Sequence, residues 1–408
     1  VNVEELVRAA LHEQAAEQPP SGPGLADRVL TVRRRRRTRR IASAAVAVAA
    51  ALTAVVGVPR LESGGHDVRP SGGVDHDRTV KPDRPAKTHS AQSLPRTTIA
   101  AGNTVMAAYF TEKTDWQTER QGVRVRSYWL LDKKSGRYEK TTKWSWVAVA
   151  PGLKTAAVLE QHLPVRRIGL LDLASGKVER WFPVDHPVGG LAFSPDGTKL
   201  VATAYDKNPD HRTKEVGNDP VTPFDSRRTG FYVFDVASGH GTWAPVKVTP
   251  GMMGIPLNVR QDFAFSRDGK TVWGGQLSKP YMRFYDASGH PVAAPEGEKY
   301  RDWFVDAGLS PDGTRLAGDF AGEKWYTSSW LLDPHTGKHL AEIHGQQLLA
   351  WADDKSLIAW DLAKGDKDEF HSRLVLVTIG SDKEVPLSGF LQGSDVTEGR
   401  WTPVFARR

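Results

Sequence analysis

Residues that could do chemistry are few in this chain, and they are scattered. The segment "HTGKHLAEIH" places His335, His339 and His344 at i, i+4 and i+9. A His-x-x-x-His zinc site needs a helix to bring both imidazoles to one side. Thr336-Gly337 marks a hairpin instead, so ordinary surface histidines are expected. Five aspartates recur after apolar runs: Asp132 in "WLLDKKSG", Asp172 in "LLDLASG", Asp235 in "VFDVASG", Asp286 in "FYDASG" and Asp333 in "WLLDPHTG". A ring of five carboxylates would attract cations. Each, however, stands where a strand enters a turn, where an Asp side chain accepts backbone N–H groups, so turn capping is the expected role. The chain has no cysteine, which excludes disulfides, thiolate metal sites and thiol nucleophiles. No G-x-S-x-G elbow, Walker loop or strand-borne G-x-G-x-x-G is present. Catalytic residues, cofactors and metal ligands are all expected to be none, and the balance falls on a non-enzyme.

The elements that carry these residues are short strands. Thirteen Trp, 38 Gly and 26 Pro in 408 residues favour strands joined by turns over helices. Two turn motifs recur. "FSPDG" (Phe193–Gly197), "FSRDG" (Phe265–Gly269) and "LSPDG" (Leu309–Gly313) are one; the five Asp–Gly turns above are the other. Successive aspartates of the second motif are 40, 63, 51 and 47 residues apart, and the outlier contains a polar insertion at 206–230. A period of 40 to 50 residues with two hairpins per unit is the pattern of a propeller blade. The expected fold is an all-β, six-bladed β-propeller over residues 98–408, with seven blades as the alternative. The orphan strand "RWTPVFAR" is expected to close the ring by pairing with the first unit, which removes two loose edges at once.

The first hundred residues have a different texture. Residues 1–40 hold a short amphipathic helix ended by Pro19-Pro20 and then "RRRRRTRR". Residues 41–58 carry no charge and are long enough for a bilayer core. Arginines on the leading side stay in the cytoplasm. A single transmembrane helix is therefore expected, with a cytoplasmic N-terminus, a disordered linker at 59–97 and an extracytoplasmic propeller in the cell membrane. A cleaved signal, twin-arginine included, is the competing reading. The formal net charge is +7, and residues 1–60 supply +5 of it as ten arginines less five acids. With no basic stripe elsewhere, the pI near 9.4 is explained by topology, and no nucleic acid partner is expected.

The Ser194-Pro195-Asp196-Gly197, Ser266-Arg267-Asp268-Gly269 and Ser310-Pro311-Asp312-Gly313 turns, with the Asp-x-x-Ser-Gly turns, resemble the PD-type repeats of WD-repeat-like propellers, as in TolB-type and YVTN-type bacterial proteins. The resemblance implies mostly binding scaffolds, with a minority of enzymes. The leading expectation is a membrane-tethered, non-catalytic scaffold for a protein, peptide or cell-wall ligand. The alternative is a propeller hydrolase or lactonase with a metal in the central channel, for which no ligand set is legible. Function belongs on the rim of variable loops, where Trp116, Met252, Met253, Trp325, Tyr326 and Phe370 form the candidate binding patch.

Overall fold

The computed structural model describes residues 86–88, 94–214, 220–221, 227–247, 260–275, 281–302, 304–322, 324, 327–362, 371–391 and 400–408. In chain order, β1 (Ala100–Ala101), β2 (Thr104–Trp116), β3 (Gln121–Asp132) and β4 (Arg137–Thr141) lead into β5 (Trp144–Val149), β6 (Thr155–Glu160), β7 (Val165–Asp172), β8 (Lys177–Phe193) and β9 (Lys199–Tyr205). The polar insertion contributes β10 (His211–Lys214) and β11 (Pro220–Val221), after which β12 (Arg228–Asp235) and β13 (Gly241–Pro245) return. Then come β14 (Ala264–Phe265), β15 (Val272–Gly275), β16 (Met282–Tyr285) and β17 (Pro291–Val292), followed by β18 (Leu316–Gly322), β19 (Ser328–Leu332) and β20 (His339–His344). The last are β21 (Gln347–Trp351), β22 (Ser356–Leu362), β23 (Ser372–Thr378), β24 (Glu384–Pro386) and β25 (Trp401–Arg407).

These strands make five sheets, and their paired strands run antiparallel. Sheet I runs β1-β2-β3-β10-β11, with β25 on β2 and β4 on β3. Sheet II runs β13-β12-β9-β8-β7-β6-β5; sheets III, IV and V are β14–β17, β18–β20 and β21–β24. Buried side chains join sheets I and II, II and III, IV and V, and V and I. Tyr109, Tyr128 and Trp401 of sheet I share one buried cluster with Trp144 and Val147 of sheet II and with Ile358 and Trp360 of sheet V. Phe231 of sheet II packs with Phe263 beside sheet III and Tyr285 within it, and Leu331 of sheet IV packs with Leu357 of sheet V. Strands inside the ring are buried on both faces and so read as unbroken apolar runs; β22, "SLIAWDL", is buried at its first six positions.

The all-β propeller class holds, with two corrections. Among the described residues the strands do not form six separate blades, or seven. The six sequence units are distributed over five sheets because β8 runs unbroken for 17 residues. Its first half pairs with β7 and its second half with β9. The second correction concerns the membrane. Among the described residues there is no helix, hence none long and apolar enough to cross a membrane. Residues 41–58, on which the anchor rested, lie outside the described residues. The bilayer partner, the single-pass topology and the cell-membrane location are therefore set aside.

Closure follows the expected route. β25 pairs with β2 from Thr104↔Arg407 to Thr111↔Trp401. Trp401, 1% exposed, lies 5.6 Å from Tyr109 and 5.1 Å from Trp360, centroid to centroid. Arg408 donates from Nε to the Gly102 carbonyl at 2.9 Å. The packed unit also reaches back before residue 98: Lys87 bridges to Ala100, and the Tyr109 hydroxyl donates to the Pro95 carbonyl at 2.8 Å.

The repeated turns explain themselves once the serines are seen. Ser194, Ser266 and Ser310 are at most 1% exposed. In each turn the Ser hydroxyl donates to the Asp two residues on and accepts the N–H five residues on; the donated bonds are 2.5, 2.6 and 2.6 Å. Gly197, Gly269 and Gly313 have φ of 74°, 67° and 74°, left-handed conformations that a Cβ disfavours.

Replacing Trp401 with Ala removes the aromatic wedge at the closure and is expected to cost about 3–5 kcal/mol of stability, read as a lower urea midpoint with little change in slope.

Candidate metal centre

Sheets IV and V meet at a seam where three titratable side chains converge. His344 closes β20, Asp361 is the sixth residue of β22, and Glu384 opens β24. One donor atom from each lies within 4.8 Å of the other two. Each sheet's ladder runs on to this seam: in sheet IV the Gly345 N–H donates to the Thr327 carbonyl at 3.1 Å, and in sheet V the Gln346 N–H donates to the Trp360 carbonyl at 2.7 Å. The Thr327 hydroxyl donates to Asp361 Oδ1 at 2.6 Å. The Arg373 guanidinium donates to Glu384 Oε1.

His344 is 7% exposed and Asp361 4%. His344 is therefore not the surface histidine its sequence context suggested, whereas His335 and His339 are exposed. Burial pushes the Asp361 carboxyl up to about 7, helped by its hydrogen bond to Glu384, while the Thr327 hydroxyl opposes the shift. A mixed nitrogen and oxygen donor set of this kind suits a borderline divalent ion such as Zn2+ or Mn2+. Metal–donor bonds of about 2.1 Å in a tetrahedral site put the donors about 3.4 Å apart, so ligation needs the most widely separated pair to close by up to about 1.4 Å.

The five repeated aspartates take the expected role. Asp132, Asp172, Asp235, Asp286 and Asp333 each accept N–H groups from their own turn. Hydrogen bonds within each turn hold the carboxyls below their usual range, chiefly from the Ser135 and Ser175 side chains at Asp132 and Asp172 and from backbone N–H groups at the other three. They form no shared site.

On the expected recognition rim, Trp116 ends β2 and the Lys214 ammonium sits 4.4 Å above its ring. Met252, Met253, Trp325, Tyr326 and Phe370 lie outside the described residues. The insertion crosses from sheet II to sheet I, where β10 pairs with β3 (His211↔Val123 to Thr213↔Gln121). A buried ionic knot fastens it. Asp210 takes both guanidinium nitrogens of Arg126, at 2.6 and 3.0 Å, and Arg260 at 2.5 Å. Arg126 and Arg260 lie 5.0 and 3.9 Å from the Trp146 ring centroid. Burial alone would raise the Asp210 carboxyl; the two arginines outweigh it and hold it far below the carboxylate range. The recess beside this knot is about 30 Å³, room for about two waters.

No family model and no curated protein sequence matches the chain. Solved structures are similar at low level. Against hydrazine synthase of Kuenenia stuttgartiensis the identity is 14% over 60% of this chain and 65% of that chain, with a TM-score of 0.33. TolB from Acinetobacter baumannii gives 15% over 74% of this chain and 67% of that one, TM-score 0.37. The Cps50 (Swd1) β-propeller domain of Myceliophteria thermophila gives 12% over 72% and 87%, TM-score 0.36. The chain spans about two thirds of the hydrazine synthase chain. At these identities and scores the likenesses carry no argument about function.

Below about pH 4 Asp361 is protonated in both folded and unfolded chains and contributes nothing to pH dependence. As pH rises toward 7 the unfolded chain releases this proton first, so folding loses stability, and the full penalty stands above pH 7. Asp361→Asn keeps the Thr327 bond and removes the titration. It is expected to be more stable than wild type by about 1–3 kcal/mol at pH 8, with the gap closing toward pH 4 in thermal melts.

Proposed function

We propose that this propeller binds one divalent metal ion, through His344 Nδ1 or Nε2 and the carboxylates of Asp361 and Glu384. The observation that carries the reading is the convergence of a buried imidazole and two carboxylates from two different sheets. It takes up the metal of the alternative sequence reading and moves it from the central channel to the seam between sheets IV and V. The tethered scaffold is not retained. Three protein donors leave one position of a tetrahedral ion open, and the burial of His344 and Asp361 restricts what can reach it. An ion held from both sheets would pin the seam and add stability by mass action.

A second reading concerns the rim and rests on a separate observation. The insertion is stitched to the β2–β3 hairpin by strand pairing and by the Asp210 knot, a rigid platform of the kind that presents a recognition surface. In that reading Trp116, with Met252, Met253, Trp325, Tyr326 and Phe370, contacts a macromolecular partner.

Isothermal titration of the full chain with Zn2+ and Mn2+ is expected to show one ion per chain, and His344→Ala to weaken binding at least about a hundredfold. Absence of binding, or equal affinity in the His344→Ala protein, would defeat the metal reading. For the rim, Trp116→Ala is expected to reduce recovery of a partner captured by wild type while shifting the melting temperature by less than about 2 °C.

A further inference from the structure

We infer that Arg373 governs access of the divalent ion to Glu384, by competing with the ion for the same carboxylate. The inference rests on the metal reading above and adds a control element to it. Arg373, on β23, donates from its guanidinium to Glu384 Oε1. Its side chain is 25% exposed and that of Glu384 22%, so the pair is screened only in part. The guanidinium carbon also lies 4.7 Å from the Phe390 ring centroid. Among the described residues its Nε has no hydrogen-bond partner.

Charge count sets the conflict. Metal ligands are deprotonated when the ion binds, so the two carboxylates of the set balance a divalent ion in full. Adding Arg373 leaves one positive charge in excess, on the carboxylate that the ion needs. Two cations on one carboxylate repel strongly in partly buried surroundings. Arg373 has a place to go: with a quarter of its side chain in solvent, it can leave Glu384 and keep its contact with Phe390. A different role is physically reasonable and makes the opposite prediction. Ligating carboxylates are often oriented by an outer hydrogen-bond donor, and if Arg373 were such a donor its removal would weaken the site.

The test is Zn2+ titration of the full chain carrying Arg373→Gln, Arg373→Ala or Arg373→Lys, with melting temperatures as the folding control. Removing the charge, by Gln or Ala, is expected to tighten Zn2+ binding at least about tenfold. Lys keeps the charge and is expected to bind close to wild type. The double variant Arg373→Gln with His344→Ala is expected to lose the gain. Equal or weaker binding in both neutral variants, with Zn2+ still bound by wild type, overturns the competing role and leaves the metal site standing. No Zn2+ binding in wild type or in either neutral variant overturns both. Wild-type binding that tightens in both neutral variants, with the gain lost again without His344, supports the inference.

Discussion

The pairing of the last strand with the second one is the constraint on which the rest depends. A ring of sheets packed face to face has no stable form while one junction is open, because two faces would be left bare at once. Here β25 completes sheet I from the far end of the chain, and Trp401 fills the space between Tyr109 and Trp360. The side chains of sheets V, I and II then merge into one cluster. The contact is maximally non-local in sequence, so its loop-closure cost is met late in folding. Once made, it joins the side chains of sheet V to those of sheets I and II.

Two groups of buried polar side chains inside this ring are matched to partners. The three buried serines of the repeated turns satisfy the backbone of their own hairpins. Asp210 and its two arginines form a desolvated knot in which the carboxylate is met on both sides; breaking one member leaves an uncompensated buried charge. The seam of His344, Asp361 and Glu384 is different, because its two acids face each other. Two carboxyl groups in contact are comfortable only with a proton or a cation between them. That asymmetry, one knot balanced and one seam acid-rich, is what separates a fastening from a candidate ligand site in this molecule.

Much of the architecture was legible in the residues. Asp-Gly turns, alternating apolar runs and the orphan "RWTPVFAR" pointed to hairpins, sheets and closure, since each depends on local chemistry. Strand count per sheet was not legible, because nothing in "KVERWFPVDHPVGGLAF" announces that β8 passes from one unit to the next without a break. The site was not legible either. His344, Asp361 and Glu384 are 17 and 23 residues apart, share no motif, and meet through packing of two sheets. One signal was available: Asp361 is the lone acid in an otherwise apolar, buried strand, and a charge in such a place calls for a reason. His344 was misread because its spacing to His335 and His339 was judged by helical rules, whereas it closes a strand and faces inward.

Not every junction of the ring is equally oily. Across the boundary between sheets III and IV the contacts among the described residues are chiefly polar. The Arg267 N–H donates to Glu298 at 2.6 Å, and Arg267 reaches the Pro311 carbonyl at 3.3 Å. Glu298 also takes Arg301 at 2.9 Å, and Arg301 lies 4.7 Å from the Trp273 ring centroid. Such a junction draws little from the expulsion of water and much from directional bonds that water itself can replace. It is the natural fault line of the toroid. Solvent enters there first, and amide protons along it exchange ahead of those at the tryptophan-filled closure on the opposite side.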